Sequence, residues 1–454
     1  MTEQSARARA GALPHPKNLW LASLGAMLEY YDFVVYIYVA TKISAAFFPS
    51  TSSSQIKLAE TLGIYSIGFL IRPLAGVLMS HYADRLGRKR LFIFTVALMS
   101  VSTLLIGFLP TYASVGWLAP ALLLLLRIAQ GCAVGGELPG AAVFVTEHAG
   151  PKRVGFSGGV LQSLAYGGFL LGAGAAVVSA LIAQANPDWS SLSWRLPFIV
   201  GGALGIASTF LRRALEETPL FEDLKKRADL RAKAPVAEVA RHHRAALMFG
   251  FGMVFAMTVT NVVYFQYWPT FLESQLGEPH AYALTVSLTA IVSIMIALPL
   301  WGLLADRFGW SRALSVGAVL LAVVSTWLFV TVPSLKHDPL ALVWSIIPVA
   351  VASGAVVAPV PGLISALFPT AVRQSGYAVA YNIGVAIFGG PLPLFLVWLV
   401  GSHGLRAPLG VLLASYAVIL ILAFVVKRMT VHLGSPLQDV DPVRVADGAG
   451  LQAR

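Results

Sequence analysis

Along this chain, apolar residues fall into long stretches separated by short polar interruptions, and not into alternating or amphipathic short segments. Twelve stretches of about 20 predominantly apolar residues, each enough to cross a hydrocarbon core of about 30 Å as a helix, lie near 19–41, 60–82, 91–109, 117–146, 155–183, 195–214, 246–272, 282–304, 312–333, 340–366, 376–400 and 406–427. The pattern predicts an all-α integral membrane protein with twelve transmembrane helices. A polar, internally charged segment of about 17 residues precedes the first stretch, with no small-residue cleavage site behind it, so the first helix is expected to stay in the mature protein.

Repetition then organises the helices. The loop after the second stretch reads ADRLGRKR (83–90) and the loop after the eighth reads ADRFGWSR (305–312), so Asp84, Arg85 and Gly87 recur as Asp306, Arg307 and Gly309, 222 positions on. Arg153 and Arg373 repeat at an offset of 220. Such an offset, near half the chain, indicates two parallel six-helix halves. The expected organisation is a cytoplasmic segment over 1–17, an N-terminal bundle over 18–214, an inter-domain linker over 215–245, a C-terminal bundle over 246–430 and a cytoplasmic tail over 431–454. The linker, with Lys225, Lys226 and Arg227, reads as a solvated, part-helical connector facing anionic lipid.

Composition agrees with a membrane solvent: 57% of residues are hydrophobic and 12% charged, against roughly 25% charged in soluble domains. The net charge of +11 invites a nucleic-acid reading, but its placement removes it. With both termini in the cytoplasm, five of the 32 Lys and Arg fall outside (Lys42, Lys57, Arg195, Lys336, Arg406), Arg72 and Arg127 fall within spans, and the rest lie on the inner side. That is the positive-inside bias of an inner-membrane protein. The single cysteine, Cys132, excludes an internal disulfide and reads as packing.

Five charges lie inside the predicted spans: Glu29, Asp32, Arg72, Arg127 and Glu137. Each costs about 2.5–3.5 kcal/mol to insert and is a functional candidate for that reason. At 1.5 Å per residue the first four reach comparable depth near the midplane, and Glu29 and Asp32, three apart, share a helix face opposite two Arg. Histidine is missing at depth, which leaves Glu29, Asp32 and Glu137 as the proton-carrying candidates. Burial favours the neutral form of such a carboxylate and a neighbouring Arg the charged one. The C-terminal half offers uncharged groups: Asn261, Tyr264, Gln266, Tyr267 and Trp268 before Pro269, and Tyr381 and Asn382. Candidate substrate-binding residues are Arg127, Arg72, Gln130, Tyr264, Tyr267, Tyr381 and Asn382, a set suited to a small polar metabolite with a negative charge.

Two six-helix halves fit a channel, a receptor or a rocker-switch transporter. The repeated loop favours the transporter, because alternating access needs a latch in each half, and a tight turn with one Asp and several Arg supplies it. The candidate cytoplasmic gate is Asp84, Arg85, Gly87, Arg88, Asp306 and Arg307. An enzyme is disfavoured by the lack of converging acids, His or metal ligands, so no metal and no cofactor beyond the proton gradient is expected. A transporter-derived sensor would carry a long soluble domain.

At this point seven motifs in register resemble the major facilitator superfamily, and within it the metabolite:proton symporter family. They are LEYYDF (28–33, Tyr30 where the family has Trp), GFLIRPLAG (68–76), ADRLGRKR (83–90), RIAQGCAVGGELPGA (127–141), WRLPF (194–198), EETPLF (216–221) and FPTAVRQSGYAVAYNIGVAIFGG (368–390). The resemblance implies uptake of a carboxylate or zwitterion with a proton across a bacterial inner membrane; a monomer is expected. It implies that Asp84, Arg85 and Arg88 form the gate, and that Arg127 and the acids of the first helix handle proton or substrate. Ser80 departs from the pattern, standing where the family has the Gly that Gly302 provides for Asp306, so packing there is expected to be looser. The tail after 431 lacks heptads, which weighs against a coiled-coil osmosensor. A proton-coupled exporter or exchanger is the main alternative; it is disfavoured because the fifth helix, YGGFLLGAGAA at 166–176, has no Gly-Pro pair.

Overall fold

A backbone in lipid must satisfy its own hydrogen bonds, and the protein answers with helices alone: no strand occurs among the described residues. The computed structural model describes residues 16–75, 88–133, 137–149, 153–186, 189, 192–213, 235–336, 338–368 and 372–429. Helices α1 (Pro16–Tyr38), α2 (Ala40–Phe47), α3 (Ser54–Leu70), α4 (Arg88–Gly107), α5 (Tyr112–Val115), α6 (Leu118–Ala133), α7 (Glu137–His148), α8 (Val154–Ala185) and α9 (Leu192–Arg213) make the first part. The second has α10 (Pro235–His242), α11 (Arg244–Asn261), a π-helical segment (Val262–Tyr267), α12 (Trp268–Leu276), α13 (His280–Phe308) and α14 (Trp310–Thr331). It continues through α15 (Pro339–Val357), α16 (Val360–Ala366), α17 (Arg373–Phe388), α18 (Pro391–His403) and α19 (Pro408–Met429).

Among the described residues each stretch predicted from hydropathy contains helix, and nine spans are long and apolar enough to cross a membrane. The first stretch is not among those nine: α1 carries Lys17, Glu29, Asp32 and four tyrosines, which lower its hydropathy. Several predicted spans are interrupted where the local chemistry requires it. The tenth breaks between α15 and α16 at Ala358 and Pro359, and the eleventh between α17 and α18 at Gly389 and Gly390, just before Pro391. The first runs on through α2 to Phe47. Part of the expected linker is helical, as α10.

Large apolar side chains cover the outside, with Leu74, Ile296, Trp344 and Ile421 all about two-thirds exposed. Such a surface would be a liability in water and is the normal face toward lipid. Many hydroxyls inside bond back to their own helix, as Ser100 to Val96 O, Thr103 to Met99 O and Thr260 to Ala256 O, which satisfies those groups without water. The two parts meet along paired helices. α8, which lies against α1 within its own part, packs across on α13, α7 packs on α16 and α17, and α3 on α17 and α18. Close approach at these seams needs small residues: a Cβ on Gly159 would overlap Leu298 O, and one on Gly302 would overlap Gly155 O.

Candidate functional site

Between the parts lies a small cavity, with about 40 Å³ of open volume. Glu29 and Tyr30 on α1, Phe69 and Arg72 at the end of α3, and Phe169 on α8 form one wall. Met257, Thr258 and Asn261 on α11, Val262 and Gln266 in the π segment, and Tyr381 on α17 form the other. The first wall carries the charge. Arg72 Nη1 stands 3.5 Å from Glu29 Oε1, with the two side chains 1% and 3% exposed. The Arg72 guanidinium lies 4.2 Å over the Phe69 ring, which fixes its plane.

The second expected cation sits one layer back. Arg127 Nη1 donates to Gln130 Oε1 at 2.8 Å, and Gln130 Nε2 donates to Thr103 Oγ1 at 2.7 Å. The Arg127 guanidinium lies 4.5 Å from the Tyr36 ring centre and 5.1 Å from that of Tyr65, while its Nε and Nη2 have no hydrogen-bond partner. Mutual neutralisation of two Arg by two acids is therefore realised directly by Arg72 and Glu29. Arg127 is satisfied by an amide and two aromatic faces, with Asp32 near enough to act on it electrostatically. Asp32 is buried but outside the cavity wall. Tyr65 connects the two layers, donating across the seam to Gln266 Oε1 at 2.7 Å.

The second wall differs from the expectation in a way the backbone explains. Tyr264 does not face the cavity: its hydroxyl donates to Ser325 Oγ at 2.7 Å and meets Tyr416, in a polar knot internal to the second part. Tyr267 and Asn382 are buried and likewise lie outside the wall, whereas Tyr381 is on it. At 100° per residue, Asn261 and Tyr264 share an α-helical face while Asn261 and Gln266 are about 140° apart. The π segment, whose hydrogen bonds run i to i+5, widens the turn, and Asn261 and Gln266 both line the cavity. Asn261 accepts from the Tyr166 hydroxyl and Gln266 from that of Tyr65, so both amides also tie the two parts together. Sequence reasoning missed Tyr30, Phe69, Phe169, Tyr65 and Tyr166 as site residues. Only Tyr30 left a signal, as the one departure inside LEYYDF.

Contacts between the parts bridge both ends of the cavity. Toward one end, Tyr38 donates to Phe265 O and Ser66 to Gly390 O at 2.7 Å. At the other, the Asp306 carboxylate accepts from Gly155 N at 2.7 Å and Phe156 N at 2.8 Å, capping the N-terminus of α8. Unpaired amides and the dipole at a helix start favour an anion there, and the Gly155–Gly302 contact lets the backbones come close enough for it. Arg307 is exposed and lies over the Phe308 ring. Asp84, Arg85, Gly87 and Ser80 lie outside the described residues, as do the side chains of Arg88 and Glu137, whose backbones begin α4 and α7. Among the described residues no three His, Cys, Asp or Glu come together to hold a metal ion.

The profile of the Major Facilitator Superfamily matches residues 22–388. The proline/betaine transporter of Escherichia coli K12 is 33% identical over 438 residues, covering 94% of this chain and 85% of that protein. The glycine betaine/proline/ectoine/pipecolic acid transporter OusA of Dickeya dadantii is 36% identical over 400 residues, covering 85% and 78%. Among solved structures, the D-xylose-proton symporter superposes with a TM-score of 0.67 at 18% identity, covering 93% of this chain and 98% of that one, a likeness of fold. Given these matches and the helical architecture, the chain belongs to the Major Facilitator Superfamily, in the metabolite:proton symporter family, and is a multi-pass transporter of the inner membrane.

Proposed function

We propose that the protein imports a small organic carboxylate or zwitterion together with a proton, by alternating access between two six-helix halves. Both termini face the cytoplasm, the halves span 18–214 and 246–430, and the linker and tail are cytoplasmic. The monomer is the working unit, and the proton gradient is the only energy source. The observation that carries this is the Arg72–Glu29 pair on the wall of a cavity bridged at both ends: a fixed guanidinium for a carboxylate, beside an acid that can hold a proton. Asp32 and Glu137 are the further proton-carrying candidates, and Arg127 with Gln130 sets the electrostatics behind Tyr65. Asp306, with Arg307 and the loop Asp84, Arg85, Gly87 and Arg88, forms the cytoplasmic gate.

Proline, betaine, ectoine and pipecolic acid, the compounds named for the relatives, all carry a carboxylate beside a cationic or amidinium nitrogen. They outweigh the argument from the tail against osmolytes and put zwitterions first among substrates to test. Uptake of a radiolabelled panel of zwitterions, monocarboxylates and dicarboxylates into proteoliposomes tests the class. Saturable uptake of at least one carboxylate is expected; transport confined to uncharged sugars or to cations would refute it.

A further inference from the structure

The second wall of the cavity carries uncharged polar side chains from Thr258 and Asn261 on α11 and from Gln266 in the π segment. Thr258 and Asn261, three apart, share a helix face, and the π turn brings Gln266 onto the same wall. All three are more than nine-tenths buried. Two tyrosines of the first part decide which end of each amide looks inward. Tyr166 on α8 donates to Asn261 Oδ1, and Tyr65 on α3 donates to Gln266 Oε1 at 2.7 Å. Neither ring can turn away. Tyr65 is held by Phe69, with ring centres 4.9 Å apart, and by Tyr36 at 5.8 Å. Tyr166 meets Phe169 at 5.1 Å, Phe265 at 5.4 Å and Tyr30 at 5.8 Å. A phenol donates better than it accepts, because its oxygen shares a lone pair with the ring, so the amide oxygens belong on the tyrosines. That leaves Asn261 Nδ2 and Gln266 Nε2, which have no hydrogen-bond partner among the described residues, for the cavity. The Thr258 hydroxyl is likewise buried without a partner.

Resting on the import reading above, we propose that Thr258, Asn261 and Gln266 form the second part's seat for the substrate carboxylate, and that Tyr65 and Tyr166 are the positioning residues that aim its donors. A carboxylate only accepts, through about four lone-pair sites on two oxygens, so it takes bonds from this row as well as from Arg72 on the facing wall. Such charge-assisted bonds are about twice as strong as neutral ones, and donors fixed beforehand lose nothing to reorientation. An ammonium carries donors of its own and gains nothing from the amide nitrogens. The row therefore reads the carboxylate end of a ligand, and a cation without one is not held by it.

The aiming depends on both parts. Terminal amide torsions are broad, so when the parts separate and the tyrosine bonds break, the amides turn freely. Carboxylate then binds best to the arrangement in which the parts meet around it, and its binding favours that arrangement.

Gln266→Glu and Asn261→Asp probe the row most directly. Each keeps the oxygen that receives the tyrosine and replaces the inward N–H₂ by an oxygen that repels a carboxylate. Binding to purified full-length protein in detergent at pH 8 is measured by titration calorimetry. The probes are glycine betaine, L-proline and choline, which has the quaternary ammonium of glycine betaine without its carboxylate. Wild type is expected to bind a carboxylate probe at least tenfold more tightly than choline. Each acidic variant should weaken carboxylate binding at least thirtyfold and lose the preference over choline. Tyr65→Phe keeps the ring beside Arg127 and should weaken carboxylate binding about three- to tenfold, with choline unchanged. A merely structural loss would lower both alike. Carboxylate affinity within threefold of wild type in both acidic variants, or equal loss for carboxylates and choline, would overturn the seat. If the acidic variants fail to fold, Thr258→Val removes a hydroxyl that bonds nothing in the protein. Unchanged carboxylate affinity there and in Tyr65→Phe would overturn the seat as well. Uptake indifferent to the proton gradient would remove the import reading and leave the seat standing, whereas wild type binding neither carboxylate probe overturns both.

Discussion

Asp306→Asn is the sharpest perturbation of the proposed gate. The two carboxylate oxygens of Asp306 accept separately from Gly155 N and Phe156 N, at 2.7 and 2.8 Å, and they do so across the seam between the parts. A hydrogen bond to a charged group contributes about 1.5–3 kcal/mol, and negative charge at a helix start about 0.3–1 kcal/mol more. Asparagine keeps one acceptor and loses the charge, and Asp306 is only partly buried, so water replaces some of what is lost. The net cost to the closed gate is about 2 kcal/mol, which at about 1.4 kcal/mol per decade is roughly a 30-fold shift toward the gate-open state. Spin labels at Phe210→Cys on α9 and Phe308→Cys on α13, both exposed, in a Cys132→Ser background, report the separation of the parts at that end. The variant should populate a longer distance that is minor in wild type, and in proteoliposomes should lose accumulation more than exchange. A wild-type distance distribution together with wild-type accumulation would refute the gate assignment.

Further outcomes follow from the same geometry. Gly302→Val places side-chain atoms where Gly155 O stands and should abolish transport with the protein still in the membrane; uptake above half of wild type would contradict it. Arg127→Lys and Arg127→Gln should each reduce uptake at least tenfold at near-normal membrane levels, since neither reproduces a planar cation between Tyr36 and Tyr65 while bonded to Gln130. Wild-type uptake, or loss of the protein from the membrane, removes the role given to Arg127. Tyr264→Phe should cost about 1 kcal/mol of stability through its lost bond to Ser325 and leave KM unchanged, because Tyr264 lies outside the cavity. A tenfold change in KM without a fall in Tm would place Tyr264 back at the site.

How far the sequence reaches is clearest from particular residues. Helices were legible because lipid makes every span apolar and every interruption conspicuous. Charges at depth were legible because they are costly, and counting residues at 1.5 Å each put Glu29 and Arg72 at one level, where they pair. Arg127 showed as buried, but its partners did not, since an amide three residues on and two tyrosine faces leave no charge signature. Which of Asn261, Tyr264, Gln266 and Tyr267 line the cavity is not legible in the sequence, because the chain makes a π turn there and no residue type announces one. The aromatic wall of Phe69 and Phe169 was hidden among 24 phenylalanines, most of them ordinary packing in such a chain.

The central claim is that carboxylate and proton cross together. Its most direct measurement is uptake of glycine betaine and L-proline into proteoliposomes, against an imposed proton gradient, with and without a protonophore. Accumulation above equilibrium under an inward gradient, collapsing when the protonophore is added, is the predicted result. Equal uptake in the presence and absence of the gradient would contradict it.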